Sequence, residues 1–306
     1  MIASERFVKV VDNAEFVLAE AAVCERLRWM KGITLHPMLF NTPLIYDEDG
    51  TAAMEKIYGR YRAIARQAGV PILLCAPTWR VNQERISEAK VPENINHDAV
   101  AFMQGLREQW DHRHSPVLVG GLMGPKNDCY RPEEGLSEED ALAFHTWQAQ
   151  QLADTDVDVL LAQTMPALPE AMGMAKAMGA TGLPYIISFV INREGNVFDG
   201  TPLSTAISRM DEALKVRPYG YMVNCVYPTF ICADRQPASL FDRLLGIQAN
   251  SSSKDQQDLD GSDVTQRDSM EDWTEQMLKL HRNYRIKILG GCCGTDDQYL
   301  KMIVEG

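Results

Sequence analysis

Two cysteines are adjacent in the run Gly290-Gly291-Cys292-Cys293-Gly294-Thr295, and a third, Cys225, follows Asn224 near the end of another apolar stretch. Thiolates are soft ligands that suit zinc. Three of them with one open position are the layout of a catalytic site, as opposed to the four closed ligands of a structural one. An ion held in this way would keep an exogenous sulfur as a thiolate at neutral pH. The glycines fit the same reading, since they let the backbone turn tightly enough for two successive side chains to reach one ion. Spacing alone leaves two alternatives open: a pair of small buried hydrophobes, or a strained vicinal disulfide. The other four thiols, Cys24, Cys75, Cys129 and Cys232, read as core or incidental residues, with Cys75 and Cys232 near enough to the site to be bystanders.

Distant cysteines can meet if the chain folds as repeated βα units. Eight short apolar runs alternate with amphipathic segments: FVLAE (16–20), PILLCAP (71–77), PVLVGG (116–121), VDVLLAQT (157–164), PYIISFV (184–190), YGYMVNCV (219–226), RLLGIQA (243–249) and RIKILGG (285–291). Helical spacing predicts helices over 52–68, 99–110, 138–152, 168–178, 203–216, 238–242, 271–284 and 297–304. Ser137 with Asp140 predicts an N-cap, Thr201-Pro202 predicts a cap with proline at N1, and the last helix is expected to open at Thr295. Eight such units predict a single-domain α/β (β/α)8 TIM barrel over residues 1–306. A doubly wound open sheet is the alternative, disfavoured by the lack of a Gly-x-Gly-x-x-Gly turn after the first strand. In a barrel the C-terminal strand ends build the active site, and there Cys225, Cys292 and Cys293 would share one rim. The polar stretch 250–263 lacks periodicity and reads as a mobile loop.

Composition bounds the partners. The 306 residues are 45% hydrophobic and 24% charged, as in ordinary globular proteins, and 42 acidic against 30 basic residues give a net charge of −12. That charge, with no basic stripe to offset it, speaks against a nucleic-acid ligand. No apolar run is long enough to span a membrane and the first residues lack the apolar core of a signal peptide, so a cytoplasmic setting is expected.

The cysteine run, paired with Asn224-Cys225 at a strand end, resembles the zinc signature of the homocysteine S-methyltransferase family. Leu161-Ala162-Gln163-Thr164-Met165-Pro166 followed by Glu170-Ala171 is similar to the family's fourth-strand segment, Ser188-Phe189 to the fifth, and Asp199-Gly200-Thr201-Pro202-Leu203 to the loop after it. The resemblance runs from about residue 15 to the C-terminus. It implies a (β/α)8 barrel, Zn2+ held by Cys225, Cys292 and Cys293, a thiol acceptor as the fourth ligand, and methyl transfer to sulfur. It also implies acceptor-binding roles for Glu20, Thr78, Gln163, Thr164 and Asn224.

Two positions depart from the family's pattern. An aspartate followed by glycines is common at the end of its first strand, where this chain reads Ala19-Glu20-Ala21-Ala22. A glutamate is common at the end of the fourth, where Gln163 stands. In relatives these carboxylates help to hold the amino group of homocysteine. A neutral glutamine keeps a hydrogen bond but loses the ionic attraction, of the order of 1–3 kcal/mol. A thiol other than homocysteine, or Glu20 alone holding the ammonium, follows as an expectation beside a neutral variation within a homocysteine enzyme.

Trp79, Phe189 and Tyr227 lie near strand ends where an aromatic wall would suit a cationic donor, while each also reads as packing. Asp128 and Tyr130 lie in the loop after the third run, facing a donor or forming a simple turn. His145 reads as a helix-packing residue. The function expected is a zinc-dependent S-methyltransferase for homocysteine or a related small thiol, using S-adenosylmethionine, S-methylmethionine, a betaine-like donor or a separate corrinoid protein. The other readings are a zinc-binding barrel that senses or acts on another thiol without methylating homocysteine, and a metal-free barrel.

Overall fold

The computed structural model describes residues 3–110, 114–259 and 265–306. Its strands are β1 (Val17–Ala19), β2 (Ile72–Cys75), β3 (Val117–Met123), β4 (Val159–Met165), β5 (Tyr185–Phe189), β6 (Gly220–Val226), β7 (Leu244–Ala249) and β8 (Ile288–Gly291). Each pairs parallel with the next and β8 pairs with β1, closing a barrel; Leu18 sits opposite Ile72 on one side and Leu289 on the other. Six fall within the predicted runs, while β3 and β4 extend past theirs, to Met123 and Met165. They were legible because strands covered on both faces are apolar nearly throughout.

Alternate residues divide the core in two. Val17, Ala19, Leu73, Leu118, Leu161, Ile186, Met222 and Ile288 pack together as one cluster, while Leu18, Ile72, Leu74, Val119, Leu160 and Ile187 join the helices in another. Phe7 and Val11 of the helix Ala3–Asn13 belong to the first cluster and close the N-terminal end of the barrel. Arg6 and Arg107 both reach Asp158 there at 2.8 Å, and Asp158 also accepts from Val119 N at 2.7 Å. Burial still pushes that carboxyl up to about 6.

The eight predicted helices are present with shifted ends. Ser137 Oγ caps Asp140 N at 3.2 Å as expected. Two starts differ from the sequence reading. Pro202, extended in ψ, takes the cap position ahead of Leu203–Ala213, and no side chain caps that helix. The final helix, Asp297–Glu305, is capped by Asp296, because the Thr295 hydroxyl is spent donating to Cys292 O at 2.6 Å. The stretch expected to be a mobile loop begins as packed structure: Asn250, Ser251, Ser252 and Gln256 are buried, and Gln256–Leu259 forms a helical turn. Residues 260–263 of that expectation lie outside the described residues. Among the described residues no helix is long and apolar enough to cross a membrane.

Candidate metal centre and its cavity

Cys225 lies one residue before the end of β6, and Cys292 and Cys293 follow β8 directly. The Cys225 sulfur is 2.8 Å from that of Cys292 and 3.7 Å from that of Cys293, and all three lie within 4.8 Å of one another. Sulfurs bound to one tetrahedral zinc at about 2.3 Å sit roughly 3.8 Å apart. Donor type fits one soft ion and so does the Cys225–Cys293 separation, while Cys225 and Cys292 would move apart by about 1 Å to share it. Hydrogen bonding with Cys292 and Cys293 holds the Cys225 thiol well below its ordinary range and raises the other two.

Backbone geometry aims these sulfurs. Cys225 has φ 54° where the pairing register of β6 and β7 shifts between Asn224 and Val226, a bulge that re-aims its side chain. Gly294 has φ +78°, and a Cβ there would lie 1.9 Å from Ser251 Oγ. The turn is tied down from several sides: Cys292 N donates to Ala249 O at 2.7 Å, Cys293 N to Asn250 Oδ1 at 3.1 Å, and Gly294 N to Glu25 Oε2. Gln256 Nε2 donates to Cys225 O at 2.8 Å, so the segment after β7 supports both halves of the cluster.

The sulfurs open onto a cavity of about 560 Å3 at the C-terminal mouth of the barrel. Glu20, Gln163, Thr164 and Asn224 line it with the three cysteines. Glu20 is buried, accepts from Cys75 N at 2.8 Å, and is pushed up to about 8 by loss of solvent. Gln163 Nε2 donates to Gln248 Oε1, and Gln248 Nε2 donates to Glu20 O at 3.2 Å, linking the ends of β4, β7 and β1. Asn224 bridges Thr164 and Ser188, accepting from Ser188 Oγ at 2.7 Å. Thr78 is the exception among the expected residues. Its hydroxyl donates to Leu122 O at 2.7 Å and accepts from Leu122 N at 3.1 Å, so it braces β2 against β3 behind the cavity wall.

Of the three aromatics considered, Trp79 lines the cavity, together with Phe40 and Tyr130. Phe189 is fully buried against Tyr221 and Tyr227 packs into the core, so neither forms the wall. Asp128, Cys24, Cys75 and Cys129 also line the cavity, whereas Cys232 lies apart from it. His145 is a packing residue whose Nε2 meets Glu170 Oε1 at 3.0 Å. Burial would raise Glu170, but bonds from His145, Lys126 N and Leu136 N outweigh it and leave the carboxyl below its usual range. Gln248, Asn250 and Gln256 were not foreseen as site residues; the single cue was a polar residue closing the apolar run RLLGIQA.

A family model described as homocysteine S-methyltransferase matches residues 24–306. The chain belongs to the homocysteine S-methyltransferase family. Homocysteine S-methyltransferase YbgG of Bacillus subtilis (strain 168) is 21% identical over 229 residues, covering 71% of each chain. The metallated form of the homocysteine methyltransferase MmuM from Escherichia coli superposes with a TM-score of 0.76 at 16% identity, covering 97% of this chain and 98% of that one. Its apo form gives 0.66 at 18% identity, covering 96% of both chains. The homocysteine S-methyltransferase fold is thus shared at low identity, and the cysteine cluster lies at the strand ends where a barrel carries its chemistry.

Proposed function

We propose that this member of the family transfers a methyl group to the thiolate of homocysteine or a related small thiol, with zinc held by Cys225, Cys292 and Cys293. The observation that carries this reading is the convergence of three thiols from two strand ends on one side of a cavity of about 560 Å3. When bound, zinc would leave a position for the acceptor sulfur and favour its thiolate form. The substrate contacts proposed for Glu20, Gln163, Thr164 and Asn224 follow from their places on the cavity wall.

The chain's own residues fix the acceptor against the donor. The bulge at Cys225 and the tied turn at Cys292-Cys293 hold the sulfurs in place before substrate arrives, so little reorganisation is left for the reaction. Asn224 fixes Thr164 on the neighbouring wall. Glu20 offers its carboxyl to the acceptor ammonium, a contact that favours the ionised form against the burial that opposes it. Tyr130 provides a ring face suited to an onium donor, beside Trp79 and Phe40, whose rings Arg80 already overlies. In the transfer itself a sulfur–carbon bond forms as the donor's bond to the methyl carbon breaks. The bonding pair leaves with the donor, and the acceptor's proton has already gone to solvent.

A matrix of donors and thiols read by mass spectrometry tests this. S-methylmethionine, S-adenosylmethionine, a betaine and a methylated corrinoid protein are each paired with homocysteine and with thiols lacking its amino group. S-methylated product in at least one pair is expected. Zinc-bound protein that methylates no thiol with any donor overturns the reading and leaves a thiol-binding barrel.

A further inference from the structure

The cavity wall beyond β2 carries two guanidinium groups with no carboxylate partner among the described residues. Arg80 and Arg85 both line it. Arg80 lies over Phe40 and Trp79, its Cζ 5.3 and 5.2 Å from the two ring centroids. Its Nη1 donates to Asn127 O at 3.1 Å, while its Nε is buried without a partner. Arg85 Nη2 donates to Lys126 O at 2.6 Å, and its Nη1 is likewise buried and unpaired.

The nearby acids have other hydrogen-bond or ion-pair partners, although Asp128 attracts Arg80 and Glu84 attracts Arg85 through space. Glu84 pairs with Lys126 at 2.9 Å, Glu134 with Arg131 at 3.1 Å, and Asp128 Oδ1 accepts from Tyr130 N at 2.8 Å. Burial pulls both guanidinium groups below their ordinary range, and the charge of Arg80 helps push Arg85 down to about 10. Two adjacent cations with open, desolvated N–H donors are costly unless an anion joins them. The planar fork of arginine matches a carboxylate in particular.

We propose that Arg80 and Arg85 bind the carboxylate of an amino-acid-type substrate in this cavity and so set substrate specificity. This rests on the cavity being the site of the methyl transfer proposed above. Gln163 and Gln248 are neutral, so recognition of an ammonium rests on Glu20 and gains less ionic attraction than a pair of carboxylates would give. Selection then falls on the opposite charge. The carboxylate can belong to the thiol acceptor or to the donor, and the two sources are separable.

The test is calorimetric binding to the zinc-loaded full-length protein with two ligand pairs. One is L-homocysteine and its decarboxylated counterpart; the other is S-methyl-L-methionine and its decarboxylated counterpart. The wild type is expected to prefer the carboxylate member of at least one pair by roughly 10- to 100-fold. Arg80→Gln and Arg85→Gln bring that ratio towards one, and Arg85→Lys retains part of it. A general loss of structure weakens both members of a pair and leaves their ratio unchanged. The pair whose ratio collapses identifies acceptor or donor. A wild-type ratio near one in both pairs, no binding of any of the four, or a ratio unchanged in both glutamine variants overturns the proposal. Discrimination without any methylated product would instead sink the proposed reaction while leaving the carboxylate site standing.

Discussion

Asn224 closes a two-point clasp on Thr164: its Nδ2 donates to Thr164 Oγ1 at 2.7 Å and its Oδ1 accepts from Thr164 N at 2.8 Å. Thr164 and Cys225 both have positive φ, at 63° and 54°, and a left-handed conformation costs such residues about 1–3 kcal/mol each. The clasp offsets this at Thr164 and fixes the residue next to Cys225. Asn224→Ala should therefore cost about 2–4 kcal/mol in urea unfolding, since it leaves buried polar groups on Thr164 and Ser188 unpaired. It should also weaken metal retention. Wild-type stability together with wild-type metal content in this variant would show that the clasp does not hold the centre.

Glu20 makes stability depend on pH with a definite sign. Its folded pKa of about 8 lies above the ordinary 4.5, so across that window the folded state holds a proton that the unfolded state has lost. Stability contributed by the protonated form is fully present below 4.5 and falls as pH rises to 8, by at most about 1.4 kcal/mol per pH unit. Glu20→Gln removes the titrating group. Urea midpoints of variant and wild type should diverge in favour of the variant as pH rises across this window; parallel profiles would contradict the burial argument.

Glu170 acts with the opposite sign. Its carboxyl stays below the usual range, so the stability it contributes is present above the ordinary carboxylate pKa and is lost as pH falls through its own. Removing a buried partner of this kind costs about 3–5 kcal/mol. Glu170→Ala is expected to destabilise by that amount in urea at neutral pH, with the gap from wild type narrowing in acid. An unchanged gap would show that packing alone accounts for the loss.

Gly294→Ala places a Cβ at positive φ and 1.9 Å from Ser251 Oγ. The turn carrying Cys293 must move, so the expected result is reduced zinc affinity in competition with a chromophoric chelator, greater than that of a Gly69→Ala control. Gly69 also has positive φ but open space around it. Equal losses in the two variants would assign the effect to backbone strain alone.

The barrel was legible because burial on both strand faces leaves eight apolar runs. The cysteine turn was legible through its resemblance to the family's zinc signature, since spacing alone left a buried pair and a vicinal disulfide open. Gln256 and Asn250 were not legible, since their roles arise where the segment after β7 folds back on Cys225 and Cys293, a contact with no local signature. Thr78 shows the same limit in reverse. Its place after a strand was readable, but the direction of its hydroxyl is decided by Leu122, 44 residues away. The helix Ala3–Asn13 was passed over because Phe7 and Val11 acquire their purpose from the open barrel end they cover.

The central claim, a single zinc held by Cys225, Cys292 and Cys293, is tested most directly by metal analysis of protein purified without chelator. The account predicts about one equivalent of zinc in the wild type, lost in Cys225→Ser and in Cys292→Ser while Cys232→Ser retains it. Wild-type protein without zinc, or zinc unchanged in the Cys225 and Cys292 variants, would contradict it.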